Sequence, residues 1–377
     1  MLTTAVLAIG LAGVCAAPAH AAAGDWTQQG YSPQRSHYNP DEPAINARTI
    51  NRVRLRWSVQ LKSNAESCFW VSPPVVTGGR VFVNGEGGVS AYVAGTGRRL
   101  WHRPRGLTDI QHLAVVGSVL LASGANYCEP GDGAGELVAV DAATGRLRWR
   151  WVNDARVDTM LVDRGLVVIP GATGARALRV SDGRLRWTKA GFRSWAVAGG
   201  GRLLGSSGRL LKAVDVTTGR TLWSRAVSWR PQAANPAGDR FYAIDGSGTL
   251  ICVRAANGAV VWRARSDDDD YHLATDGRRV YRTIIQGVEA LDARTGRSLW
   301  QVQLHGPTGQ PVRAGGLVYA PVDGGEAVGI LHAATGRVAS TAERFGSREG
   351  ADIVVSGGRV YISGGEEQDL RVFGLTS

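Results

Sequence analysis

Apolar and polar residues alternate along this chain in short runs, each followed by a glycine-bearing turn and a second alternation built around a tryptophan. Side chains that change face at every position belong to half-buried strands, because helical apolar positions recur every three or four residues. The phrase appears as Val89–Trp101, Leu137–Trp149, Leu178–Trp187, Leu211–Trp223, Leu250–Trp262, Val288–Trp300 and, with serine in the tryptophan's place, Val328–Ser340. Its turn glycines are Gly97, Gly145, Gly183, Gly219, Gly258, Gly296 and Gly336, a period of about forty residues. Strand patterning at that period predicts four-stranded sheets stacked around an axis, which is a β-propeller.

Three strand signals can be counted independently. The tryptophan strand occurs at Trp57, Trp101, Trp149, Trp187, Trp223, Trp262, Trp300 and the degenerate Ser340. A turn followed by a hydrophobic strand begins at Gly79 and ends its series at Gly358. The strand before the glycine turn has its last copy in Leu370-Arg-Val-Phe373. Each series counts to eight. The chain also opens on a tryptophan strand lacking its partner and closes on a strand lacking its tryptophan strand, so the two ends complete one blade and remove the open sheet edges. The predicted fold is therefore all-β, an eight-bladed propeller of four-stranded antiparallel blades closed by N- and C-terminal strands. Residues 1–21 read as a signal peptide, 22–50 as a lead-in and 51–377 as the propeller.

The repeat's own chemistry is structural. Asp141, Asp215 and Asp292 stand three residues before a Thr-Gly pair, where a short carboxylate accepts the turn's N–H groups and glycine supplies positive φ. Trp57, Trp101, Trp149, Trp187, Trp223, Trp262 and Trp300 offer flat surfaces to bury between neighbouring sheets.

These phrases resemble the PQQ-like β-propeller family, whose repeat runs Ala-x-Asp, two residues, Thr-Gly-Lys or Thr-Gly-Arg, two residues, Trp. Ala139-Val-Asp-Ala-Ala-Thr-Gly-Arg-Leu-Arg-Trp149 and Ala290-Leu-Asp-Ala-Arg-Thr-Gly-Arg-Ser-Leu-Trp300 match it position for position. The lead-in, with Asp25-Trp-Thr-Gln-Gln-Gly30 and Arg35-Ser-His-Tyr-Asn-Pro40, looks like that of the quinoprotein dehydrogenases. The resemblance implies that the tryptophan strand is outermost and that the innermost strands line a central channel. It does not carry the enzymology, because a shared fold hosts unrelated functions. Quinoprotein dehydrogenases hold an adjacent cysteine pair over PQQ and a Glu and Asn on calcium, and this chain has no Cys-Cys pair. The size of the blades matches the non-catalytic branch represented by the BamB-like lipoproteins.

Composition adds the surroundings. Ala5–Ala17 is an apolar run followed by Ala19-His-Ala21, the core and small-residue site of a secretory signal, although Met1-Leu-Thr-Thr has no basic residue. Cys15 follows Val14, which is bulkier than the residue a lipid-anchor site wants. The formal charge is +11, nearly all from arginine. An exported basic chain favours an anionic cell-envelope polymer over nucleic acid. Cys252 reads as a small buried hydrophobe, and Cys68 and Cys128 read as a disulfide in an oxidising compartment.

If the tryptophan strand is outermost, the loops after it gather on one face with Trp70, Asp109, His112, Asp158, Trp195, Arg230, Tyr271, His272, Arg313 and Asp352. Polar and aromatic groups converging on a channel mouth suit a small ligand or peptide, although such mouths are polar in any propeller. The acidic run Asp267–Asp270 reads as a solvated turn, and the histidines show no metal-ligand spacing. Arginine follows six of the seven turn glycines, making a basic ring on the opposite face. The expectation is a secreted, monomeric, non-catalytic binding or protein-assembly scaffold with no cofactor and no membrane-spanning segment. Its partner is then a protein, a peptide or an anionic envelope polymer. The alternative is a PQQ-dependent oxidoreductase using calcium.

Overall fold

The computed structural model describes residues 24–61, 71–85, 88–104, 110–125, 135–155, 157, 159–171, 174–192, 194–266, 272–304, 306, 308–322, 328–342, 345, 351–364 and 368–376. Within them, eight sheets each carry a four-stranded antiparallel meander. Blade 1 begins with its innermost strand at Val75–Thr77 and ends with its outermost at Arg99–Pro104. Blades 2 to 7 follow in chain order over 110–152, 161–190, 194–225, 230–264, 273–303 and 312–342. Blade 8 takes three strands from 351–375 and its outermost strand, Val53–Gln60, from the start of the chain. Chain closure thus rests on the antiparallel pairing of Trp57 with Val372 and Val59 with Leu370.

The two middle strands of the blades are mostly buried on both faces, and successive blades share cores of Val, Leu, Ile and Ala. Outermost strands alternate instead, with Leu147, Val152 and Leu185 half exposed among arginines. Charged edge residues of this kind discourage strand addition by another chain.

Each tryptophan packs on the following blade. The Nε1–H of Trp57 donates to Ala94 O, Trp101 to Ala142 O and Trp149 to Val180 O, and the remaining four repeat the contact, all at 2.8–3.3 Å. The ring then lies against the turn glycine of that neighbour. A Cβ placed on any of the seven glycines would stand 2.6–2.8 Å from a tryptophan ring atom, and their φ values are +67° to +73°. Glycine is required there twice over, by conformation and by space.

Ser340 breaks the tryptophan series for a topological reason. A tryptophan there would face the turn between the third and fourth strands of blade 8, and that turn does not exist, since those strands belong to opposite ends of the chain. The short 3₁₀ turn Ile50–Arg52 packs beside the Val338–Ala342 strand instead, and Phe345 and Phe373 meet edge to face at 4.8 Å. Cys252 is fully buried on the third strand of blade 5.

Candidate functional site

The lead-in occupies the channel. Trp26 exchanges both backbone hydrogen bonds with Val76 on the innermost strand of blade 1. Thr27 O accepts from Val115 of blade 2, and the Gln28 side chain bonds both the N–H and the carbonyl of Val162 in blade 3. Pro33, Gln34 and Ser36 carbonyls then accept from Ala198, Ala234 and Thr275 of blades 4, 5 and 6 at 2.7–2.8 Å. Tyr38–Asn39 runs parallel to the innermost strand of blade 7. Asn39 Nδ2 donates to Val355 O in blade 8 and to Gly24 O, where the circuit began. One stretch of chain therefore visits all eight innermost strands in order.

Every contact falls near the C-terminal end of its innermost strand, beside the turns that lead to the second strand. Among the described residues, the coil closes that end of the channel and leaves a cup facing the other end. Innermost strands would otherwise present unpaired N–H groups to the bore, and buried backbone donors need partners. So tight a circuit needs unusual backbone. Tyr31, Arg35 and His37 all have positive φ, at 76°, 49° and 48°, and a Cβ on Gly30 would stand 2.8 Å from Arg35 Cα. Non-glycine residues held in the left-handed region carry strain that the surroundings must hold in place, and such positions cluster at ligand sites.

Above this floor lies a cavity of about 280 Å³. Arg35, His37 and Gly30 come from the coil, and the walls include Gln232, His272, Gln310 and Asp352 from blades 5, 6, 7 and 8. Arg35 donates to Thr159 Oγ1, which fixes its direction, and Gln310 Nε2 donates to Leu273 O at 2.8 Å. Arg35, His37, Gln232, Gln310 and Asp352 are partly buried where they border the cavity, while His272 is exposed. Burial lowers Arg35 to about 10, which leaves it charged at neutral pH. Burial, with Arg35 and His272 nearby, lowers His37 to about 3 and keeps it neutral. Burial alone pushes Asp352 up to about 7. The cup thus holds one fixed positive charge, a neutral imidazole and a carboxyl group poised between its two states. A second cavity, about 190 Å³ between blades 1 and 2, is walled by Leu120, Val138 and Val140 together with Arg103, Glu136 and Arg150.

Of the residues read from sequence as a channel-mouth set, His272 and Asp352 meet in this cavity. Arg230 is exposed at the start of the innermost strand of blade 5, His112 lies on that of blade 2 outside the cavity lining, and Trp195 is on that of blade 4. Arg313 sits at the sealed end rather than the mouth: it pairs with Asp276 at 3.3 Å and covers the Tyr38 ring. The coil draws it there, since its own N–H is held by His37 O. Trp70, Asp109, Asp158, Tyr271, Cys68, Cys128 and the 267–270 acidic run lie outside the described residues, as does the 1–21 segment. Arg35, His37, Gln232 and Gln310 were not singled out from sequence. The available signal was a polar lead-in with no strand period, too long to be a simple connection.

The profile of the family described as outer membrane protein assembly factor BamB matches residues 49–150, 114–199 and 206–375. The chain belongs to this family of PQQ-like repeat propellers. A curated relative, the outer membrane protein assembly factor BamB of Yersinia pestis, is 23% identical over 335 residues, 79% of this chain and 84% of that one. BamB from Moraxella catarrhalis superposes with a TM-score of 0.64 at 19% identity, over 85% of this chain and 97% of that chain. The quinohemoprotein alcohol dehydrogenase of Comamonas testosteroni gives 0.68 at 15% identity, over 93% and 80%. At these identities the structural likenesses establish the fold alone. Among the described residues no helix is long and apolar enough to cross a membrane, and no three acidic, histidine or cysteine side chains stand close enough to hold a metal.

Proposed function

We propose that this protein is a secreted, non-catalytic scaffold of the cell envelope that binds a partner protein or peptide at the open face, with part of that partner seated in the cup. The observation that carries this reading is the strained coil of Arg35 and His37, held so that a charged group and an imidazole floor a blind cavity. Membership of an assembly-factor family supports it.

A PQQ-dependent oxidoreductase fits less well. Calcium beside PQQ wants ionised oxygen donors. The one carboxylate of the cavity lining, Asp352, is driven by burial towards its neutral form. Arg35, in the same lining, is fixed in the channel floor, and the sequence has no adjacent cysteine pair.

The test uses a photo-crosslinking residue placed at Arg230, on the open rim, or at Arg297, on the sealed face, in the native host. One defined adduct from Arg230, lost when Arg35→Ala is combined with it, is the expected outcome. No adduct at Arg230, or quinone absorbance with dye-linked alcohol oxidation after adding PQQ and calcium, would overturn the reading.

A further inference from the structure

The sealed face is a continuous plate, because the coil fills the bore that would otherwise pierce it. Around it stand the turns between third and fourth strands, one per blade at equivalent height. Arg98, Arg146, Arg184, Arg220, Arg297 and Arg337 occupy the same place in six of them, all exposed. Where the series lapses, another arginine stands in. Blade 5 has Ala259 but carries exposed Arg254 in the same turn, and blade 8, which lacks the turn, presents Arg52 and Arg54 from the incoming chain.

The acidic residues among them are already occupied. Asp215 Oδ1 accepts the N–H and hydroxyl groups of Thr217 and Thr218, and Asp292 Oδ1 accepts the N–H groups of Arg294 and Thr295 and the Thr295 hydroxyl. Asp141 does the same for its turn and gives its second oxygen to Arg148. Of the six ring arginines, only Arg184 stands within 4 Å of a carboxylate among the described residues. That carboxylate, Asp182, is engaged bidentately by Arg179. The aspartates serve the backbone, so their charge is spread into the turns while the guanidinium groups project outward.

We propose that this sealed face docks flat on an anionic phospholipid bilayer. A linear polyanion would follow only part of a closed ring, whereas a planar charged surface meets every turn at once. The first described residue also sits here: Gly24 O accepts from Ser356 Oγ at the end of the innermost strand of blade 8. Docking this way turns the cup away from the lipid, towards a soluble partner. Each arginine near such a surface contributes about fivefold to partitioning, and the effect falls within a Debye length.

The test is sedimentation of the full chain with vesicles of phosphatidylglycerol and phosphatidylcholine in equal parts, against phosphatidylcholine alone. Binding only to the anionic vesicles, abolished at high salt, is expected. Arg146→Glu/Arg220→Glu/Arg337→Glu lowers partitioning by at least about a hundredfold. The charge-matched Lys189→Glu/Arg209→Glu/Arg265→Glu, on the open side, retains most of it, and both variants keep the native thermal midpoint because every site is in an accessible turn or strand end. Equal loss from the two variants would overturn the proposal, as would no anionic-vesicle binding at low salt. Retention on soluble polyphosphate without vesicle binding would overturn it too.

Discussion

Trp57 lies against Gly97 so closely that a methyl group on the glycine would come within 2.6 Å of the indole Cδ2. The contact joins the blade formed by both chain ends to the first complete blade, with Trp57 Nε1 also bonded to Ala94 O at 3.0 Å. Gly97→Ala adds both a clash and a strained backbone at φ +70°, and costs about 2–4 kcal/mol of stability in urea unfolding. Gly208→Ala, at φ +55° with open space around it, costs only about 1 kcal/mol. Equal losses would show that the indole contact contributes nothing.

The same contact sets the value of each tryptophan. Trp262 is 7% exposed, packs at a tilt against Tyr242 with ring centroids 5.9 Å apart and donates to Ala293 O, so Trp262→Ala loses about 3–5 kcal/mol in urea unfolding. Ser340→Trp changes stability by less than about 0.5 kcal/mol, because no glycine turn waits for it. A clear gain from Ser340→Trp would mean that the termini do not interrupt the eighth blade as described.

Gln28 replaces a strand. Its side-chain amide bonds Val162 N and O at 3.0 and 2.9 Å, so Gln28→Ala orphans two buried backbone groups and costs about 2–3 kcal/mol. Hydrogen exchange locates the loss at the Val162 amide, which becomes fast while Ala274 in blade 6 stays slow.

The cup gives stability a pH signature. Asp352 has a folded value of about 7, above that of an unfolded aspartate, so its contribution is complete below about pH 4 and is lost as pH rises through 7. His37 has a folded value of about 3, below its ordinary 6.5, so its contribution is present above pH 6.5 and lost as pH falls. Asp352→Asn therefore gains on the native protein between pH 5 and pH 8 in urea midpoints. A difference that stays constant across that range would contradict the buried position.

Much of the fold was legible because a propeller writes its rule locally. Alternation, turn glycine and indole lie within one repeat, so eight copies and the shared blade could be counted from residues such as Gly145 and Trp149. The degenerate Ser340 had no visible cause, since its missing partner is a break between residues at opposite ends of the chain. The channel floor was hidden for the same reason. Residues 24–39 bond to eight strands spread over the whole sequence, which leaves no period, and the reach of His37 to Arg313 spans most of the ring. The candidate site was accordingly half read: His272 and Asp352 follow from strand position, while Arg35 and His37 depend on where the coil runs.

Native-state hydrogen exchange on the intact chain tests the sealed channel most directly. The amides of Val115, Ala198, Ala234, Thr275 and Arg313 face the bore and are bonded only by the coil. Protection at these five amides comparable to that of the middle strands of the blades is the predicted result. Exchange there at the rate of free, solvated amides would mean an open, water-filled bore, with neither the cup nor the continuous basic plate beneath it.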